Sequence, residues 1–271
     1  MLRAASYPRL NQPREIRCMH FSPRPTSLLA VAGLMFGLCA SHAPSAAPPS
    51  ADALVAAADA IRFPQEAFQV DVKVATTGGE SVIDARSYRI LSKGNSQTLV
   101  MTTAPASERG QILLMKDDDL WVFLPKVSQP VRLPLSQKLT GQVANGDLAR
   151  ANFAGDYAAK HLREEAVDGR AHHVLELTAS RRGVTYQRVL YWVDVKNNRP
   201  HKAEFYTVSG SLLKTARYED FQQVEGKDRP MRLILTDATK VGEVSTMTYS
   251  GMKRRSLDDK IFTKQYMKKL Q

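Results

Sequence analysis

The dominant pattern along this chain is an alternation of apolar and polar residues with a period of two. It starts at Phe68, where Gln69, Asp71 and Lys73 separate apolar neighbours, and it recurs as far as Tyr249. Such alternation predicts strands with one buried face and one face in water. The runs are separated by glycine and asparagine, which accept the positive φ of tight turns. The pattern therefore predicts a mainly β protein: about ten or eleven strands in an antiparallel barrel or strongly curved sheet.

The clearest local feature is a hairpin followed by a long interruption. Apolar runs at residues 112–115 and 120–124 flank three consecutive aspartates, a pattern typical of two strands and a polar turn. Pro125 and Pro130 lack the N–H that a strand ladder uses, so we expect the pairing to stop there. Polar residues then dominate positions 136–152. This segment is either a lid over an open side of the sheet or a plain surface loop.

Helical spacing occurs mainly near the two ends of the β region. Residues 51–61 are rich in alanine and carry their apolar residues at helical spacing, with Ser50 as an N-cap and Pro64 as a terminator. Residues 258–270 are predicted to form a short amphipathic turn or helix. One side of that element carries Ile261, Phe262, Tyr266 and Met267.

The first 43 residues have the layout of a cleavable secretory signal peptide. An uncharged apolar run at residues 27–40 follows basic residues and precedes small ones. That run is shorter than the roughly 20 residues that a membrane-spanning helix needs. Met1 and Met19 both fit as the start of such a leader. We therefore expect export to the periplasm, a flexible linker at residues 44–50, and a single domain at residues 51–271.

Both cysteines, Cys18 and Cys39, fall within the predicted leader. The exported domain would then be stable without disulfides, which fits a bacterial periplasm better than a small extracellular scaffold. A lipid-modified cysteine normally follows a small residue, but Leu38 precedes Cys39. The sequence therefore argues against lipid anchoring at Cys39.

The formal net charge of the chain is +11. A basic surface favours anionic partners, including membrane head groups. No motif that combines aromatic and basic residues in the manner of nucleic-acid-binding domains occurs, so we do not expect nucleic acid as a partner.

Three stretches of the sequence carry a resemblance to a known family. They are residues 120–157, which begin LWVFLPKVSQP, residues 190–206 (LYWVDVKNNRPHKAEFY) and residues 209–221 (SGSLLKTARYEDF). With the order of leader, alanine-rich helix, meander, interruption and meander, the chain resembles the outer-membrane lipoprotein-sorting protein group of the LolA-like superfamily. The resemblance runs from about residue 51 to residue 270.

The resemblance implies a fold and an activity class. The fold would be an incomplete antiparallel β-barrel, with an N-terminal helix and a helical or loop lid over the concave face, around an apolar cavity for acyl chains. The activity would be carriage of lipid or lipoprotein acyl chains across the periplasm without chemistry or cofactor. The implied partners are an inner-membrane RND-type exporter and, transiently, a membrane, and the protein would be a monomer. An accessory or adaptor protein of a transporter that binds no lipid is the alternative.

Lipid carriage needs an apolar hollow that the protein's own side chains do not fill. Burial contributes roughly 0.8 kcal/mol per CH₂ group, so the sequence signature is diffuse: strands with apolar residues on both faces. Residues 120–124 and 185–195 have this character, although central strands of any sandwich can share it. The residues expected to line the cavity are Val70, Val72, Met101, Leu113, Trp121, Phe123, Val189, Tyr191 and Met247.

A lid and a polar gate are also predicted for this cavity. Leu135, Leu139 and Val143 lie at roughly helical spacing and are expected to face the interior from a lid. Arg86 and Arg109 are candidates for a polar gate, bonding to lid carbonyls or to a lipid head group. The alternative for both arginines is ordinary solvation at the surface.

Catalytic and metal sites find little support in the sequence. His172 and His173 are adjacent, so on a strand they face opposite ways and cannot bind one metal together, and no local set of His and Cys ligands occurs. The three aspartates at 117–119 lack the downstream glycine and glutamate of a calcium loop. Neither a nucleophile elbow nor a phosphate-binding loop is present. We therefore expect no enzyme activity and no metal site.

Overall fold

The computed structural model describes residues 49–270, with the exception of Ser128 and Val241. The predicted signal peptide and Cys39 lie outside the described residues, as does most of the predicted linker.

Fifteen strands and three α-helices follow one another along the described part of the chain. The helices are α1 (Ala51–Arg62), α2 (Asn145–Ala149) and α3 (Lys264–Lys269). The strands are β1 (Phe68–Gly78), β2 (Ser81–Lys93), β3 (Gln97–Ala104), β4 (Ile112–Lys116), β5 (Asp119–Phe123), β6 (Val131–Leu133), β7 (Lys138–Thr140), β8 (Val143–Ala144), β9 (Tyr157–Val167), β10 (Arg170–Ala179), β11 (Arg188–Asp194), β12 (Pro200–Tyr206), β13 (Leu212–Val224), β14 (Lys227–Asp237) and β15 (Glu243–Arg254).

Thirteen of these strands form one antiparallel sheet in the order β6-β5-β4-β3-β2-β1-β15-β14-β13-β12-β11-β10-β9. Each strand pairs with its neighbour in sequence, except where β1 pairs with β15, and β6 and β9 are left as open edges. The predicted incomplete antiparallel barrel is therefore confirmed. The sheet has more strands than expected, partly because the three-residue β6 resumes the ladder after Pro130.

The sheet buries one face against α1, and we call this its inner face. Opposite residues in the β1–β15 pair, such as Val74 and Met247, both lie there. Strands β1, β2 and β10 to β15 each contribute two or more buried apolar side chains. The main buried cluster of this face includes Val70, Val72, Val74, Tyr88, Ile90, Val100, Leu113, Met115, Leu175, Leu177, Val189, Tyr191, Val193, Phe205, Tyr218, Leu233, Leu235 and Met247.

Helix α1 packs on the inner face through one apolar side. Leu54, Val55 and Ala58 are buried, and the predicted N-cap is confirmed, since the Ser50 hydroxyl accepts from the Ala53 N–H at 3.2 Å. At the other end, the buried Arg229 of β14 donates to the carbonyls of Ala60 and Ile61. None of the helices among the described residues has the length and apolar composition of a membrane span.

The interruption between β6 and β9 spans residues 134–156, and we call it the cover segment. It carries the two-stranded ladder β7–β8 and the short helix α2, and Leu135, Val143 and Leu148 join the inner cluster. The roughly helical spacing of Leu135, Leu139 and Val143 does not correspond to a helix, since Leu139 and Val143 lie on β7 and β8. Gly141 has φ +49°, and the tight turn between β7 and β8 breaks the helical path.

The C-terminal segment packs on the opposite, outer face, over β3 and β4. The predicted amphipathic element is confirmed as a short 3₁₀ turn at Asp259–Phe262 followed by α3. Phe262 and Met267 are fully buried there, in a second cluster that also holds Leu99, Ile112, Leu114 and Phe123.

Replacing Arg229 by methionine should destabilise the fold by about 3 kcal/mol. The substitution leaves the carbonyls of Ala60, Ile61 and Val224 without their charged donor, and such hydrogen bonds contribute about 1.5–3 kcal/mol. Urea unfolding measures the loss.

Arg232→Met is the matched control on the same strand. Arg232 is exposed and pairs with Glu219, so its loss should cost less than about 1 kcal/mol. Equal effects of the two substitutions would refute the capping role of Arg229.

Candidate functional site

The structure divides the nine expected cavity residues between the two faces of the sheet. Six of them belong to the inner cluster: Val70, Val72, Leu113, Val189, Tyr191 and Met247. The other three lie on the outer face with the C-terminal segment: Met101, Trp121 and Phe123.

The placement of Met101, Trp121 and Phe123 corrects the expected lining. Phe123 is buried in the outer cluster, Met101 and Trp121 pack against it, and Lys264 places its Nζ 3.9 Å from the centre of the Trp121 ring. Strand β5 is apolar on both faces because each face has its own cover. Alternation alone cannot tell which face meets α1.

The cavities between the cover segment and the inner face are small. Two cavities of about 30 and 20 Å³ remain between the cover segment and the inner face. Pockets that hold small ligands measure roughly 300–1,000 Å³. Neither of these two cavities therefore has room for an acyl chain.

Both cavities lie along one seam. The first is bordered by Phe68, Val70 and Ile90 of the sheet and by residues 147–152 of the cover segment. The second is bordered by Tyr218, Leu233 and Leu235 of the sheet and by cover residues that include Phe153. Both cavities thus border residues 146–153 of the cover segment.

Asp147 of α2 fixes the centre of the cover segment. Its carboxylate accepts from Lys214 Nζ at 2.8 Å, from the Tyr186 hydroxyl at 2.8 Å and from the Ala144 N–H at 2.8 Å. Lys214 is buried and also donates to the Gln142 carbonyl at 2.5 Å. Burial, followed by the charge of Asp147, raises the pKa of Tyr186 well above its ordinary value, so this hydroxyl stays a donor at neutral pH.

The tip of the β7–β8 turn touches the two central strands. Thr76 and Ser245 bond to each other at 2.9 Å, and the Ser245 hydroxyl accepts from the Gln142 N–H at 2.8 Å. A Cβ atom at Gly141 would overlap both hydroxyl oxygens. The cover segment can approach this closely only because residue 141 is glycine.

Asp59 ties the end of the cover segment to α1. Its carboxylate accepts from the N–H groups of Phe153 and Ala154 at 2.8 and 2.7 Å, and it pairs with the buried Arg62 at 3.2 Å. Burial raises the pKa of the Asp59 carboxyl, while Arg62 and the two amides act in the opposite direction. The guanidinium also lies 4.9 Å from the centre of the Phe153 ring.

Of the two candidate gate arginines, only Arg86 belongs to a network that reaches the cover segment. Arg86 pairs with Asp84 and Glu108, and Asp84 in turn accepts from Thr140 of β7. Burial opposes ionisation of Asp84, but the hydrogen bonds from Thr140 and Arg86 outweigh it and hold the pKa below its ordinary value. Arg109 donates to the Thr103 carbonyl of the adjacent strand, away from the cover segment.

Sequence analysis did not identify Asp59, Asp147 and Lys214, which are among the charged groups that hold the cover segment. A signal was present for two of them. Lys214 shares strand parity with the inner-facing Ala216 and Tyr218, and Asp59 follows Ala58 on the buried side of α1. A charged residue on an apolar face is expected to have a buried partner.

Comparison with known proteins places the chain in a family. A family model described as "Uncharacterized protein" matches residues 94–269. The crystal structure of a LolA superfamily protein from Nitrosomonas europaea is 58% identical, covers 81% of this chain and 100% of that one, and superposes with a TM-score of 0.78. This chain belongs to the LolA superfamily.

Two more distant structures share the fold of this LolA superfamily member. A domain proposed to be an outer membrane lipoprotein-sorting protein, from Vibrio parahaemolyticus, is 21% identical with a TM-score of 0.70, over 80% of this chain and 98% of that one. A DUF1329 family protein from Desulfovibrio piger is 20% identical with a TM-score of 0.69, over 80% and 97%. No curated protein matches the chain.

Gly141→Ala should loosen the cover segment. The added Cβ overlaps Thr76 and Ser245, and an L side chain at positive φ costs about 1–2 kcal/mol in addition. We expect a loss of about 3 kcal/mol in urea unfolding, together with faster amide hydrogen exchange in β7, β8 and α2.

Gly155→Ala is the matched control in the same segment. Gly155 also has positive φ, at +83°, but nothing lies near the position of an added Cβ. Its substitution should cost only the backbone strain of about 1–2 kcal/mol and leave exchange in α2 unchanged. If Gly141→Ala behaves in the same way, the close approach at Thr76 and Ser245 does not hold the cover segment.

Proposed function

We propose that this protein is a periplasmic carrier that holds acyl chains of lipids or lipoproteins against the inner face of its sheet, with the cover segment as a displaceable lid. The observation that carries the proposal is the position of the two small cavities. Both lie between the cover segment and an apolar wall, so movement of residues 146–153 would join them into one space. Membership of the LolA superfamily supports a carrier-type role.

The energies of the closed and loaded states are of similar size. A chain of about 14 to 16 carbons contributes roughly 11–13 kcal/mol when fully buried. When the cover segment closes, it buries four apolar side chains against the same inner face. Burial of each contributes about 1.5–3 kcal/mol. These side chains are Leu135, Val143, Leu148 and Phe153. An exchange between two nearly balanced states suits a protein that must both take up and release its cargo.

The polar contacts give the lid a discrete closed position. Asp147 of the cover segment accepts from Lys214 of the sheet. In the other direction, Asp59 and Ser245 accept from backbone N–H groups of the cover segment. Hydrogen bonds that involve a charged group contribute about 1.5–3 kcal/mol each, so a membrane or partner protein that competes for them can shift the lid. In this proposal the chain is a monomer, is exported by its leader, contacts membranes transiently, receives cargo from an inner-membrane RND-type transporter, and catalyses no reaction.

The alternative is an accessory protein of such a transporter that binds no lipid. The observation in its favour is the small size of the cavities under the cover segment, because volumes of about 30 and 20 Å³ hold no acyl chain. The two functions differ in one measurable respect. A carrier binds acyl chains with saturation when the lid is released, and the accessory protein does not.

Lys214→Met tests the lid directly. It removes the ion pair to Asp147 and the hydrogen bond to Gln142 while preserving an apolar stem. The closed state should lose about 1.5 kcal/mol or more, so the Kd of a fluorescent fatty acid should fall by roughly tenfold. Fluorescence titration measures the Kd, and mass spectrometry of extracted lipid shows which acyl species accompany the purified protein.

Lys202→Met is the matched control, because Lys202 pairs with Glu204 at 3.2 Å on the outer face. Its fatty acid affinity should equal that of the wild type. The carrier function is excluded if neither the wild type nor Lys214→Met binds the fatty acid with saturation and the lipid extract matches that of a denatured control. Capture of the transporter by the same preparation would then favour the accessory role.

A further inference from the structure

Two histidines and a glutamate meet on the edge pair β9–β10, away from the seam of the cover segment. His161 Nε2 lies 3.2 Å from His173 Nδ1, and a Glu164 carboxylate oxygen lies 3.4 Å from the same His173 nitrogen. The three donor atoms all lie within 4.8 Å of one another. The imidazole planes are inclined by 71°, so the rings meet edge to face instead of stacking.

A β-bulge produces this arrangement. His173 pairs with Glu164, Val174 with Arg163 and Leu175 with His161, so Leu162 is the extra residue on β9. In a regular strand, residues three apart face opposite sides of the sheet. The bulge places His161 and Glu164 on the same side. The grouping of His161, Glu164 and His173 depends on this bulge and is therefore not visible as a local ligand spacing in the sequence.

The separations fit those of ligands around a single ion. Zinc binds imidazole nitrogen and carboxylate oxygen at about 2.0–2.2 Å with tetrahedral geometry, which places neighbouring donor atoms roughly 3.3–3.5 Å apart. The two short separations at His173, 3.2 and 3.4 Å, are of this size. Small rotations of the exposed His161 and Glu164 side chains suffice to complete the set.

The donor types select the class of metal. Imidazole favours Zn²⁺ and Cu²⁺, whereas Mg²⁺ and Ca²⁺ prefer sets of oxygen ligands. We propose that His161, Glu164 and His173 form a surface site for a divalent transition metal, with Zn²⁺ as the reference ion. His161 and Glu164 are exposed and His173 is half-buried, so an ion can enter from solvent while the cover segment stays closed.

Three protein ligands leave a fourth position open on a tetrahedral ion. Because β9 is an edge strand of the sheet, that position faces solvent and is accessible to water or to a donor atom from another molecule. The proposal does not depend on lipid carriage, since none of the three residues borders the cavities under the cover segment.

Calorimetric titration of the full chain with ZnCl₂ tests the site, using protein purified without a histidine tag. Cys18, His20, Cys39 and His42 are further donors in the N-terminal region, so the informative quantity is the difference between wild type and variants. We expect one equivalent of Zn²⁺ in the wild type to be lost in His161→Ala and His173→Ala. In Glu164→Gln, Zn²⁺ binding should weaken by more than the roughly 10–100-fold effect of outer-shell changes. Cu²⁺ should compete, and Mg²⁺ and Ca²⁺ should not.

Two control variants carry the same types of substitution, Glu to Gln and His to Ala, at residues outside the proposed metal site. Glu165→Gln changes the next residue, which pairs with Arg163, and His201→Ala removes a histidine that contacts His172. Both should bind Zn²⁺ like the wild type. Co²⁺ loaded into the wild type should show the strong visible bands of a four-coordinate site, and these should be absent in His161→Ala.

The proposal is overturned if His161→Ala and the wild type bind the same number of Zn²⁺ ions with the same affinity. The exposed position of His161 makes that variant the decisive one, because its side chain can be removed without opening the core. Matching urea midpoints in the presence of EDTA would establish that the folds are equal.

Discussion

The inner face of an open sheet has to be kept from water, and this requirement governs the rest of the structure. In a closed barrel, the opposite wall supplies the partner for each apolar side chain. Here the edges β6 and β9 do not meet, so α1 and the cover segment supply it. The long interruption of the meander, which carries few strands of its own, is therefore as necessary to the core as the strands.

The way the cover segment is held differs from the way the sheet is held. Backbone ladders run continuously along the thirteen strands, whereas the cover segment meets the sheet through apolar side chains and a few charged contacts. Burying Lys214, Asp147, Asp59 and Arg62 costs desolvation, which their mutual pairing offsets only in the closed geometry. Charged groups in such positions define one closed arrangement better than additional apolar contacts would, because partial displacement leaves them unpaired.

The sequence was sufficient for most of the fold and for only part of the site. Alternation, turn residues and capping predicted α1, the hairpin β4–β5 and the C-terminal element, because each depends on local chemistry. The sequence could not show which face of β5 points inward, because the C-terminal segment covers its outer face with apolar side chains. Asp59 and Lys214 contact residues that are distant in sequence, so local patterns could not predict their partners. The proximity of His161 to Glu164 depends on a β-bulge that no residue type in the sequence predicts.

The positions of α1 and the C-terminal segment bear on how the sheet itself can flex. Helix α1 acts as a strut across the half formed by β9–β14: Asp52 near its start accepts from Ala159 of β9, and Arg229 of β14 holds its end. The C-terminal segment stiffens the other half from outside, across β3 and β4. The same segment follows β15 directly and bonds to Lys93 of β2 through the Leu257 carbonyl and Asp259, so it also spans the central strands. With one brace on each face, we expect the sheet to keep its curvature when the cover segment moves.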